Sequence, residues 1–164
     1  TWCGQNEYTP VSKRNIKDLY YQIQEKQKKT DFMAYLVIPK LNIAQPLYAF
    51  DDHRNDVEKE VMVLETSNFS NGNIALAAHS GDGYNAYFNP LDQLDETISI
   101  YILYKEYIYT YYLIGSEEIT KTGYVSIKTY SYPTIKLITC KKNDSKKQIV
   151  YTAKLSKKEK IIPR

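Results

Sequence analysis

The chain has 164 residues, 43% of them hydrophobic and 25% charged, which is enough for one domain with a buried core and excludes whole-chain disorder. The net charge of +3 comes from lysines in two runs, Lys26 to Lys29 and Lys141 to Lys160, without the interleaved arginines and aromatics of a nucleic-acid groove. No stretch approaches the ~20 apolar residues that span a bilayer. Seventeen tyrosines against four phenylalanines and one tryptophan favour strands with half-buried faces, because the ring packs while the hydroxyl stays wet.

In chain order, Val11 to Lys29 reads as a helix. Ser12 can cap it, and Ile16, Leu19, Tyr20, Ile23 and Gln27 recur on one face at three- and four-residue spacing. It is expected either to pack across the outside of the main body or to form a membrane-proximal stem. From Phe32 the period switches to two. Ala34 to Ile38 reads as a strand stopped by Pro39, and Asn42 to Tyr48 as a second whose Pro46 suits an edge or a bend. Asp51 to Glu60 is a charged loop or short helix, followed by the strand Val61 to Leu64. The cluster Thr66 to Asn73 is a turn, and Ile74 to Ala78 is short and apolar enough for a buried strand. Phe88 to Leu94 allows one helical turn. Thr97 to Leu103 and Tyr107 to Ile114 form a hairpin around Lys105 and Glu106. Glu117 to Thr120 and Val125 to Lys128 are shorter strand candidates. Thr134 to Thr139 and Gln148 to Leu155 close the set, joined by a lysine-rich loop from Lys141 to Lys147. About eight short strands separated by turns predict a mostly β fold, a small barrel or sandwich with one helix on it. No repeat or linker divides the chain, so residues 1–30 are an N-terminal segment and helix and residues 31–164 a single β domain.

Few side chains invite chemistry. Of two histidines, His53 sits in the polar run Asp51-Asp-His-Arg54 and reads as a solvated surface residue. His79 ends a buried-looking strand and precedes the turn Ser80-Gly-Asp-Gly83. That position suits a proton shuttle, although most histidines so placed are structural. Of two cysteines, Cys3 lies near the N-terminus, and a disulfide between it and Cys140 is one open pairing. Cys140 ends an apolar strand beside a lysine-rich loop whose charge would favour the nucleophilic thiolate; the alternative is a small hydrophobe at the end of a core strand. The acidic run Asp51, Asp52, Asp56, Glu58 and Glu60 lacks the alternation and Gly turn of a calcium loop and reads as a solvated face. Asp82 and Asp92 follow His79 without a spacing that orients a carboxylate on the imidazole. Gly81-Asp-Gly83 is a turn rather than a nucleotide-binding motif, so no cofactor and no metal is expected.

Read together, Leu137-Ile-Thr-Cys140 and an Ala-Ala-His79 strand end, 61 residues upstream, resemble the sortase signature. Tyr35-Leu-Val-Ile-Pro-Lys-Leu-Asn-Ile43 with Pro46, Gly72-Asn-Ile-Ala-Leu-Ala-Ala-His79, Phe88-Asn-Pro-Leu-Asp-Gln-Leu94 and Ile149-Val-Tyr-Thr-Ala-Lys-Leu155 are similar to sortase segments in the same order, and cover roughly Ala34 to Leu155. The resemblance implies an eight-stranded β-barrel of a cysteine transpeptidase on the extracellular face of a Gram-positive membrane, anchored by an N-terminal segment outside this sequence. Cys140 would attack a sorting signal of the Leu-Pro-x-Thr-Gly type and pass the acyl group to an amine, either a peptidoglycan precursor or a pilin lysine. His79 would be its acid–base partner. Sortases place an arginine five residues before an alanine of the closing strand, but counting back from Ala153 gives Gln148. The three arginines, Arg14, Arg54 and Arg164, lie elsewhere. Gln148 is therefore the expected oxyanion-side donor, with Lys146 or Lys147 as the charged alternative and a weakened enzyme as the third reading. A cysteine hydrolase and a sortase-like binding module are the competing functions. The short segment from Thr120 to Thr134 leaves little room for the long inserted helix of one sortase class.

Overall fold

The computed structural model describes residues 15–81, 83–120, 128–141 and 144–162. One helix and eight strands organise them: α1 (Ile16–Gln27), β1 (Ala34–Ile38), β2 (Ile43–Leu47), β3 (Met62–Val63), β4 (Ile74–Ala77), β5 (Ile100–Tyr104), β6 (Tyr107–Thr120), β7 (Thr134–Lys141) and β8 (Asp144–Lys160). Single 3-10 turns lie at Pro39–Leu41 and Asn89–Gln93, each opened by a proline in its first positions.

All eight strands form one sheet in the order β2-β1-β5-β6-β8-β7-β4-β3. Leu36, Leu47, Leu76, Ile102, Tyr111 and Leu137 come from six different strands, yet share one core and are fully buried. A sheet whose one face meets itself in this way is curled into a nearly closed barrel. Each fully buried aliphatic side chain contributes about 1.5–3 kcal/mol. Pro46 lies in β2, at one end of the strand order, where its missing N–H breaks no ladder.

A second cluster joins Leu19, Tyr20 and Ile23 of α1 to Tyr35, Val37 and Leu103 on the other face of the sheet. The Tyr20 hydroxyl donates to the carbonyl of Lys105, which sits at φ 53° in the β5–β6 turn. The helix therefore packs across the outside of the main body. It is capped by Asn15, which is extended in its backbone and whose Oδ1 accepts the Lys17 amide at 2.8 Å. Ser12, the expected cap, lies outside the described residues with the rest of 11–14.

Other expectations shift locally. Asp51 to Glu60 forms turns, not a helix. β5 begins at Ile100 because Asp95 Oδ1 accepts from both Thr97 N and Thr97 Oγ1, closing a turn where strand was expected. Glu117 to Thr120 is not a separate strand. Register shifts at Thr110/Tyr111 and Leu113/Gly115 let β6 bend and continue for 14 residues against β8. β8 likewise starts early, at Asp144, and runs through the expected lysine-rich loop. The candidate strand at Val125 falls outside the described residues, and Lys128 is not in a strand.

Two buried tyrosines fix the entry to β4. Tyr109 donates its hydroxyl to the Phe69 carbonyl and Tyr111 to the Gly72 carbonyl, each at 2.7 Å. Burial raises both phenols above their ordinary pKa, so they stay neutral donors. Gly72 has φ +83°, and a Cβ there would stand 3.2 Å from Leu155 Cδ2. Asn73 Oδ1 accepts the Thr134 amide, tying the start of β4 to the start of β7.

Candidate active site

β4 and β7 are parallel, with Ile74 opposite Ile135 and Ala77 opposite Ile138. That constant offset of 61 residues, carried two positions past Ala77, brings His79 level with Cys140. The spacing of the two residues in the sequence is the register of the strand pair that carries them. Beyond the last paired residues the Ala78 amide donates to the Ile138 carbonyl at 3.1 Å, and Ser80 Oγ donates to the Cys140 carbonyl at 3.0 Å. The His79 carbonyl accepts the Phe88 amide, which ties the following segment back to the strand end.

On β7, Ile135 and Leu137 face the barrel core, so by alternation Lys136, Ile138 and Cys140 face the opposite side. Cys140 is half-buried and carries a free thiol. β8 runs antiparallel beside it with Gln148 directly opposite Cys140. Side chains so paired share a face with Cβ atoms about 4.5–5.5 Å apart. The three candidates thus come from three adjacent strands, β4, β7 and β8, at the same end of the sheet.

Cys140 also borders a cavity of about 180 Å³ lined by Ser80, Phe88, Asp92, Thr139 and Tyr151 among others. Burial and the Asp92 charge raise the Tyr151 phenol, leaving a neutral hydroxyl on that wall. Thr139 Oγ1 and His79 Nε2 are buried atoms without a hydrogen-bond partner among the described residues.

The charge around the cysteine differs from the expectation. Lys141 pairs with Glu118 at 2.9 Å, and each shifts the other, raising the lysine and lowering the carboxyl. Its charge is therefore taken up on β6 rather than directed at the thiol. Lys146 and Lys147 are exposed, and Lys147 pairs in the ladder with Thr120.

Beside His79 stands Glu58, with Oε1 at 3.4 Å from Nε2. Glu58 belongs to the run read as a solvated face. Its backbone carbonyl accepts from Asn85 Nδ2 at 2.9 Å, so this loop is tied to the segment after His79. Nothing local in the sequence signals that contact, which joins residues 21 apart across two turns. Asp92 lines the cavity beside Cys140, while Asp82 and Cys3 lie outside the described residues. His53 is exposed, 91% of its side chain facing solvent. Arg54 is the only arginine among the described residues; it binds Asp52 through two guanidinium nitrogens and reaches Asp31, holding the Asp52 carboxyl well below the usual range. It is thereby occupied within the acidic run. No group of three or more potential metal ligands occurs among the described residues.

The Sortase domain family profile matches residues 36–156. Among solved structures, the chain is similar to sortase A of Listeria monocytogenes, with 22% identity and a TM-score of 0.67 over 80% of this chain and 91% of that one. It is also similar to sortase C of Streptococcus pneumoniae, at 14% identity and a TM-score of 0.66 over 92% and 95%. A sortase C2 from pilus island 1 of group B Streptococcus gives 19% identity and a TM-score of 0.66 over 76% and 73%. No curated protein matches. The profile covers most of the chain, and the structural matches share its barrel: the chain belongs to the sortase family.

Proposed function

We propose that this chain is an active cysteine transpeptidase that cleaves an LPxTG-like sorting signal and transfers its acyl part to an amine. The supporting observation is the register of β4 and β7, which carries a histidine and a half-buried free cysteine to the same strand end.

In this reading Cys140 Sγ attacks the Thr–Gly carbonyl carbon as the thiolate. The C–N bond breaks, the glycine amine leaves with a proton from His79, and a thioester remains. An incoming amine then attacks the thioester carbon, gives its proton to His79, and releases the thiolate. Each step passes through a tetrahedral oxyanion, for which the Gln148 amide is a neutral donor from the adjacent strand. Glu58, 3.4 Å from His79 Nε2, is placed to pair with the imidazolium formed during the reaction. The acceptor is a peptidoglycan-precursor amine or a pilin lysine. The site works at the outer face of the membrane, held there by a segment beyond the described residues; no described helix is long and apolar enough to cross a bilayer.

A Gln at the place of the family's arginine favours a second reading, a sortase-like module that binds sorting signals and turns over weakly. Incubation with an LPxTG-type peptide, with and without an added amine, separates the readings. A transpeptidase forms the amine adduct, a hydrolase yields the free acid whatever amine is present, and a binding module returns the peptide intact.

A further inference from the structure

Lys136 is the only charged residue among the described ones that is buried, at 7% exposure. Its Nζ donates to Thr134 Oγ1 at 2.9 Å and stands 5.0 Å from the centre of the Tyr130 ring. No carboxylate lies in ion-pair range of it among the described residues, and the stretch from 121 to 127 contains no aspartate or glutamate. Burial lowers the pKa of this amine, the mark of a cation that has lost water without gaining a counter-charge.

The lysine borders two cavities of about 210 and 220 Å³, which share Lys128, Tyr130 and Lys136 in their walls. Glu117 is the one acidic residue lining either. Both cavities lie on the face of the sheet that carries Cys140, because Lys136, Ile138 and Cys140 alternate to the same side of β7. The β4 neighbours of Lys136 and Ile138 are the small residues Ala75 and Ala77. At ~3.3 Å per residue, Lys136 is about 13 Å along the strand from the cysteine, the length of four residues of an extended peptide. The strip between the two residues runs from Cys140 toward the N-terminal end of β7, since the strand ends one residue beyond the cysteine. The acyl segment of a substrate stays bound through both half-reactions while the amine side is exchanged, so the enclosed strip is the natural place for the acyl segment.

We propose that Lys136 is a specificity-determining residue that pairs with a carboxylate side chain of the peptide substrate about four residues before the threonine, immediately ahead of the leucine. This rests on the transpeptidase reading for the direction of the peptide. A buried ammonium gains most from an anionic partner that completes its pairing inside the cleft. Tyr130, over which the lysine already lies, supplies a wall against which the substrate side chain can pack.

The test is binding of acetylated octapeptides with a Leu-Pro-Ala-Thr-Gly core to the Cys140→Ala variant, each position before the threonine carrying Glu, Gln or Lys in turn. Glu is expected to bind about tenfold more tightly than Gln at one position in the leucine region. Lys136→Met in the same background is expected to erase that difference, and Lys136→Glu to transfer the preference to Lys. Circular dichroism establishes that each variant is folded, and the wild-type Lys136 series stands on its own if one is not. Equal binding of Glu and Gln at every position, failure of all peptides to bind, or a preference that survives Lys136→Met overturns the assignment. Turnover of the same peptides with Cys140 intact is read separately. Absence of any acyl-enzyme there contradicts the transpeptidase reading and leaves the carboxylate preference to the binding data.

Discussion

Cys140 on β7 stands directly opposite Gln148 on β8 in the antiparallel ladder, and the regular pairing breaks immediately afterwards, between Cys140 and Lys141. The pair is therefore the last in-register step before the hairpin end. Side chains paired in this way share a face, so in the proposed reaction the amide at 148 is a neighbour available to a tetrahedral centre formed on the cysteine. Gln148→Ala is expected to lower turnover by roughly 10²-fold or more, about 2.7–4 kcal/mol of transition-state stabilisation, with a smaller change in substrate binding. Gln148→Arg should retain or raise activity. Lys146→Ala and Lys147→Ala should leave it near wild type. Steady-state kinetics of the four variants decide the matter, and a crippled lysine variant beside an active Gln148→Ala would transfer the role to the lysine.

His79→Ala is expected to reduce turnover by about 10²–10⁴-fold, the usual worth of general acid–base assistance, while His53→Ala changes little. The contrast follows from place. His79 sits at the strand end level with Cys140, and His53 faces solvent in a separate loop. Equal rates for the two variants would move the proton transfer to another group.

Much of this site was legible in the sequence because strands fix spacing. The run Ile74 to Ala78 read as a buried strand and Thr134 to Thr139 as an apolar one, and residues at their C-terminal ends lie at one edge of a sheet once the strands are parallel neighbours. The β1 span and the hairpin turn at Lys105 were also legible, from the period-two pattern and its interruption. What stayed hidden was set by long-range geometry. β6 continues through Glu117 because bulges bend it, and no local pattern marks a bulge. Lys141 is neutralised by Glu118, and Glu58 arrives beside His79; both contacts join segments distant in sequence. The burial of Lys136 was not signalled by the sequence; it lies against the Tyr130 ring, a contact set by the fold.

The turn that delivers β4 should be sensitive to single atoms. Tyr111→Phe removes the hydroxyl that donates to the Gly72 carbonyl and leaves a buried acceptor unpaired, an expected loss of about 1–3 kcal/mol. Gly72→Ala should destabilise as well, since its φ of +83° disfavours any side chain and the new Cβ crowds Leu155. Urea unfolding measures both. A Tyr111→Phe midpoint equal to wild type would show that the hydroxyl does not hold the turn.

Stability should fall in alkali. Burial, with the nearby Tyr48 and Glu60, pushes the Tyr35 phenol up to about 12, and burial raises Tyr111 too. The folded chain therefore keeps protons that the unfolded chain releases near the ordinary value of about 10. This stabilisation is complete below pH about 10 and is lost as the pH rises toward about 12. The urea midpoint should decline across that window, and Tyr35→Phe should flatten the decline. A wild-type midpoint that does not move with pH there contradicts the assignment.

Intact-protein mass spectrometry of the chain mixed with an LPxTG-type peptide tests the central claim most directly. The account predicts an adduct equal to the acyl half of the peptide, mapped to Cys140, discharged by an added amine, and absent from Cys140→Ala, whose stability should change by less than about 1 kcal/mol. An adduct that persists in Cys140→Ala, or wild-type protein that never forms one with any peptide of the type, would contradict it.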